Sequence, residues 1–108
     1  MADHPDDEDC PPPPPVPDGG LGRDIRILNR KGLHARASAK FVQTVEKFDS
    51  DVTVTRCGET VGGRSIMGLL TLGAAQGTSI FVTAHGGDAP ACLEAIESLL
   101  ANRFGEDE

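Results

Sequence analysis

Tryptophan and tyrosine are absent from this 108-residue chain, and four phenylalanines are its whole aromatic complement. Its core must therefore be aliphatic, filled out by a few Phe rings. That suits a small two-layer domain and leaves little room for a deep substrate cavity, so function is expected at the surface. Cysteine is scarce as well: Cys10, Cys57 and Cys92 are odd in number, far apart, and show no Cys-x-x-Cys or mixed Cys/His metal spacing. They read as reduced thiols of a cytoplasmic protein. No stretch approaches the roughly 20 apolar residues that a bilayer span requires, and the N-terminus lacks the basic-then-apolar pattern of a secretory leader. Basic residues are missing from one region altogether. Met1 to Asp18 holds six acids (Asp3, Asp6, Asp7, Glu8, Asp9 and Asp18) and no Lys or Arg. The net charge of -7 thus belongs mostly to this tail, because the remainder sets 11 acids against 10 bases. A nearly neutral body lacks the electrostatic footprint of a nucleic-acid binder.

What is present divides into two parts. Residues 1–20, "MADHPDDEDCPPPPPVPDGG", combine acids, five consecutive prolines and an Asp-Gly-Gly end. Such a segment buries no core and pairs no strand, so it is expected to be a disordered acidic lead with a short polyproline II rod. Residues 21–108 form the domain. "DIRIL" alternates Ile25 and Ile27 against Asp24 and Arg26, the pattern of a half-buried strand. Asn29 to Leu33 is a loop broken by Gly32. Ala35 to about Lys47 is predicted helical, with Phe41, Val42, Val45 and Phe48 facing the core. "DVTVT" is a second strand, "CGETVG" a turn and short third strand, and "SIFVTA" a fourth. Between the last two, "SIMGLLTLG" reads as a short helix with Ser65 as N-cap and Gly73 as its stop. Asp88 is expected to cap a final helix carrying Pro90 in its first turn, with Cys92, Ile96, Leu99, Leu100 and Arg103 on one side. The order β-α-β-β-α-β-α, with alternating strands, implies a two-layer α+β sandwich whose helices cover one sheet face.

The residues that suggest chemistry lie in "NRKGLHARAS". His34 follows the Gly32 turn and immediately precedes a helix. The first-turn N–H groups of a helix have no backbone partner, and they carry roughly half a positive charge. That field disfavours a protonated imidazole, so His34 is expected to be neutral and nucleophilic. The same N–H groups, with the Arg36 guanidinium, suit the oxygens of a phosphoryl group placed on the ring nitrogen. Phosphoryl transfer relies on positioning and charge stabilisation, so no second acid/base partner is required.

"GLHARAS", followed some thirty residues later by "GGRSIMGLLTLGAAQGT", resembles the HPr family, the histidine-containing phosphocarriers of the phosphoenolpyruvate phosphotransferase system. The resemblance covers about Asp24 to Arg103. It implies a four-stranded antiparallel, open-faced sheet covered on one face by three helices. It implies that His34 accepts phosphate through its δ1 nitrogen, that Arg36 contacts the phosphate, and that Asn29 braces the loop. Ser65 matches the serine that some members present to a kinase/phosphorylase. The implied partners are Enzyme I as donor, an Enzyme IIA-type acceptor and an HPr kinase/phosphorylase, with the carrier a monomer that needs no cofactor or metal. "NRKGLHAR" and the acidic end "FGEDE" resemble the nitrogen-related NPr branch, whereas "SIMGLLTLGAAQG" resembles the regulated HPr branch; both remain open at this point. One departure stands out: Ala37 occupies a position where the family usually has proline. Alanine favours the helix itself, so the doubt falls on the rigidity of the loop.

Other residues are weaker candidates. His4 lies in the tail, and His85, in "AHGGD", suits a turn. His34 and His85 find no third metal ligand at a recognisable spacing. Gly62 and Gly63 before Arg64-Ser65 do not make a phosphate-binding P-loop, because the glycine-lysine-serine ending is missing. Arg30, Lys31, Arg36, Lys40 and Arg64 form a local basic group, preferred as a docking rim over ordinary solvated surface. Ile66, Met67, Leu69, Leu70 and Leu72 are too many apolar residues for one buried side of a short helix. Ile66, Met67 and Leu70 are therefore expected at a partner surface, with Met67 and Leu70 outside. The first functional reading is a phosphoryl carrier, a stoichiometric intermediate and not an enzyme. The second is a regulatory binding module of the same fold, whose phosphorylation state selects its partner.

Overall fold

The computed structural model describes residues 11–12, 15–16 and 19–106. The expected acidic lead falls on residues 1–10, outside the described part, as do residues 13–14 and 17–18 of the proline run. Seven elements follow in order: β1 (Gly20–Arg26), α1 (Ala35–Val45), β2 (Asp51–Arg56), β3 (Glu59–Gly62), α2 (Ile66–Thr71), β4 (Ser79–His85) and α3 (Ala89–Ala101), with a short turn of 3-10 type at Arg103–Gly105. The strands form one antiparallel sheet in the order β1-β4-β2-β3. This is the open-faced α+β sandwich expected from the element order, with three helices.

Period-two alternation divides the sheet into its two faces. Val52, Val54, Ile80, Val82 and Ala84 point inward and are buried. They meet Phe41 and Val45 of α1, Leu69 of α2, and Leu93, Ile96 and Leu100 of α3 in one continuous core. On the other face, register partners Thr53 and Thr83 share a hydrogen bond of 2.6 Å, and Thr55 and Thr60 one of 2.7 Å. Cross-strand pairs of this kind help hold the register. Gly22 lies beside Phe81 and Val16: a Cβ there would approach Phe81 Cζ to 2.6 Å and Val16 Cγ2 to 2.9 Å.

The structure corrects several boundaries and contacts. β1 begins at Gly20, before the "DIRIL" run, and Ile27 is buried just beyond its end while Ile25 is only half-buried. α1 stops at Val45, so Phe48 packs against the core from a turn. Asp88 sits at the N-cap position of α3 without capping it. Its carboxylate accepts instead from Asp49 N (2.9 Å) and Ser50 Oγ (2.5 Å), joining this helix to the start of β2. The Ser50 hydrogen bond, then that from Asp49, holds the Asp88 carboxyl below its ordinary range. Arg103 lies outside α3 and is exposed, Leu99 is half-buried, and Leu93 and Phe104 are buried instead. The reading of three reduced thiols fails at Cys57, which is disulfide-bonded. Cys92 is a free, buried thiol.

Candidate functional site

The loop from Ile27 to His34 is held by its own backbone and by the segment before β4. Gly77 N donates to Ile27 O (2.9 Å), Ile27 N to Thr78 O (2.8 Å) and Leu33 N to Ala74 O (2.9 Å). Gly32 has φ +67, and a Cβ there would lie 2.3 Å from Ala74 O, so the close approach of the two backbones requires glycine. Asn29 is completely buried. Its Nδ2 donates to Gly32 O at 2.8 Å, closing the loop from inside. Exchanging its Nδ2 and Oδ1 would face an acceptor toward Gly32 O, so this orientation follows from the partners.

The closed loop delivers His34 to the mouth of α1 as its N-cap. Helix formation beyond it follows from Ala37, Ser38, Phe41, Val42 and Val45, whose spacing makes one buried face. Ala37 is fully buried inside the first turns, so the helix forms with alanine at this position. The two ring nitrogens of His34 have different partners. Nδ1 accepts from Arg36 N at 3.3 Å. Nε2 faces Glu106 Oε2 at 2.5 Å. A backbone N–H only donates and a carboxylate only accepts, so the proton belongs on Nε2 and the lone pair on Nδ1. That lone pair points to the helix mouth, where first-turn N–H groups without backbone partners favour an anion.

Glu106 was not foreseen from the sequence. Arg103, Phe104 and Gly105 all have positive φ (55, 57 and 77), reversing the chain after α3. Phe104 is buried and anchors this left-handed turn in the core. Lys40 Nζ donates to Phe104 O (2.6 Å), tying the turn to α1. The Glu106 carboxylate is then shared: Oε1 accepts from Asn29 Nδ2 at 3.1 Å, and Oε2 meets His34. Burial alone would raise the Glu106 pKa, but hydrogen bonds from His34 and Asn29, with the nearby charge of Lys31, hold it below the ordinary glutamate range.

These residues surround a hollow of about 650 Å³ lined by Lys31, His34, Ala35, Arg36, Lys40, Gly105 and Glu106. The exposed Arg36 guanidinium adds charge at its rim. Of the remaining basic group, Lys40 is tied to Phe104 O, and Arg64 donates to Phe48 O at 3.0 Å. Asn29, His34 and Arg36 are thus brought together, whereas Ser65 belongs to α2. Its Oγ accepts from Gly68 N at 2.9 Å, the expected cap, and the residue is exposed. Met67 is 70% exposed and Ile66 39%. Leu70 is only half-buried, correcting its placement outside. Leu28, in the loop after β1, is also exposed.

An open-faced α+β sandwich presenting a helix-capping histidine beside an arginine defines a class of small phosphohistidine carriers. The family model described as the PTS HPr component phosphorylation site matches residues 21–102. The chain is 47% identical over 88 residues to the phosphocarrier protein HPr of Neisseria meningitidis serogroup B, covering 82% of this chain and 99% of that protein. It is 45% identical over 87 residues to that of Xylella fastidiosa Temecula1, covering 81% and 98%. The crystal structure of HPr-C-His from Thermoanaerobacter tengcongensis is similar at a TM-score of 0.78 and 39% identity, covering 82% of this chain and 99% of that one. The chain belongs to the HPr family, and its function is that of a phosphoryl carrier of the phosphotransferase system.

Proposed function

We propose that His34 Nδ1 is the atom that carries the phosphoryl group, taking it from phosphorylated Enzyme I and passing it to an Enzyme IIA-type protein. The observation that carries this reading is the division of the imidazole: Nε2 faces a carboxylate, while Nδ1 faces the Arg36 N–H in the first turn of α1. On transfer, the Nδ1 lone pair forms the new bond to phosphorus. The bond from phosphorus to the donor breaks, and its electron pair stays with the donor. Arg36 N–H loses its Nδ1 acceptor as that bond forms, and with its first-turn neighbours and the Arg36 guanidinium it turns to the phosphoryl oxygens. The protein is a stoichiometric intermediate between the two partners. Its donor and acceptor dock over the exposed Ile66 and Met67 and the half-buried Leu70, steered by the basic rim.

Ser65 is proposed as a site at which an HPr kinase/phosphorylase adjusts that docking, since the residue is exposed at the start of α2 and precedes Ile66 and Met67. The direct test of the carrier role is incubation with Enzyme I and phosphoenolpyruvate, followed by mass spectrometry. The parent should gain one acid-labile phosphoryl group. His34→Ala should keep the parent's circular dichroism spectrum and gain none; labelling of that variant would place the group elsewhere.

A further inference from the structure

The carrier reading assigns no part to the acidic end of the chain, yet that end makes the shortest contact in the site. Glu106 Oε2 lies 2.5 Å from His34 Nε2, and Glu106 Oε1 accepts from the buried Asn29 at 3.1 Å. We propose that Glu106 is a positioning residue: its carboxylate holds the His34 proton on Nε2, fixes the plane of the ring, and keeps the Nδ1 lone pair aimed into the hollow.

Three features support this. The carboxylate is itself aimed, because Asn29 takes one oxygen and leaves the other for the ring. Asn29 in turn braces Gly32 O with the same amide nitrogen, so loop closure and ring orientation share one donor group. The backbone that carries Glu106 is also anchored. Phe104 is buried, Lys40 Nζ bonds its carbonyl, and Glu106 N donates to Arg103 O at 2.9 Å. A carboxylate on a loose chain end would gain little from an exposed pair; this one is fixed two residues from a core anchor.

The chemical benefit follows from charge. When Nδ1 gives its lone pair to phosphorus, the ring keeps its Nε2 proton and becomes cationic. Lys31, Arg36 and Lys40 line the same hollow and oppose that cation, while Glu106 is the carboxylate in the lining that offsets it. When the acceptor takes the phosphoryl group, the bonding pair returns to Nδ1 and the neutral ring is restored with its proton still on Nε2. Glu106 neither gains nor loses a proton in the cycle, which separates its role from that of a general base.

This inference rests on His34 as the carrier, and the test separates the two. The full-length parent, Glu106→Gln, Glu106→Asp and, as a control, Glu97→Gln would be compared; Glu97 is in an exposed ion pair with Arg23 at 3.5 Å. The first readout needs no phosphate: the His34 Nε2 proton, observed by nitrogen-edited NMR. It should appear as a downfield, slowly exchanging resonance in the parent and Glu97→Gln, be lost or moved upfield in Glu106→Gln, and partly return in Glu106→Asp. The second is phosphoryl acceptance from Enzyme I, with kcat falling about 10–100-fold in Glu106→Gln at unchanged KM, as for the loss of other groups that orient a functional histidine. An Nε2 resonance indifferent to Glu106→Gln, or an unchanged kcat, overturns the inference. A parent that never accepts phosphate overturns the carrier reading instead, and the NMR comparison still decides whether Glu106 holds the ring.

Discussion

Replacing Gly32 by alanine should damage the site more than any other change of a single methyl group. Two effects add. A residue with a side chain at φ +67 costs about 1–2 kcal/mol relative to glycine. The new methyl would also lie 2.3 Å from Ala74 O and 3.0 Å from Ala75 Cα, both backbone atoms that cannot swing aside. The loop must therefore lift, losing the Leu33 N–Ala74 O bond and the buried Asn29 Nδ2–Gly32 O bond. At about 1 kcal/mol for each bond, the total destabilisation is about 3–4 kcal/mol. Gly73→Ala is the matched control: φ is +62, but nothing lies within 4 Å of its Cβ, so only the conformational cost applies. Urea unfolding of parent and both variants gives the comparison. The Gly32 variant should also accept phosphate about 10²-fold more slowly, since a displacement of about 1 Å is enough for such a loss. If Gly32→Ala unfolds within about 1 kcal/mol of Gly73→Ala, the steric part of this reasoning is wrong.

Arg36→Ala should slow phosphoryl acceptance by about 10²-fold or more while barely moving the unfolding midpoint, because its guanidinium is exposed at the hollow and stabilises charge that appears only during transfer; stopped-flow transfer from phosphorylated Enzyme I is the assay. Ser65→Asp should retain the cap and the circular dichroism spectrum yet accept phosphate distinctly more slowly, with the largest difference from the parent at low ionic strength, since the added charge lies beside the exposed Ile66 and Met67. The lowered pKa of Glu106 makes a further prediction for acid. A carboxyl whose folded pKa lies below its unfolded value, near 4.5, contributes stability that is fully present above that value and is lost as pH falls through the folded pKa. Unfolding midpoints measured from about pH 6 down to pH 3 should therefore fall less steeply for Glu106→Gln than for the parent; parallel curves would show that the folded pKa is not depressed.

Local pattern was enough for much of this molecule. Period-two runs such as "DVTVT" and "SIFVTA" determined strands, and apolar spacing from Ala37 to Val45 determined a helix face, because burial on one side imposes those periods directly on the chain. The position of His34 between a glycine turn and that helix was legible for the same reason: helix mouths are built from consecutive residues. Ser65 as a cap was equally local. The strand order, the diversion of Asp88 from its cap to Ser50, and the exposure of Leu28 were decided by tertiary packing. Most of all, tertiary structure decided the partner of His34. Glu106 stands 72 residues away and reaches the ring only because a left-handed turn, which residue propensities disfavour, is held by the burial of Phe104. In the sequence "RFGEDE" is an acidic end like many others. Its carboxylate acquires a chemical role when the core takes in the phenylalanine two residues before it.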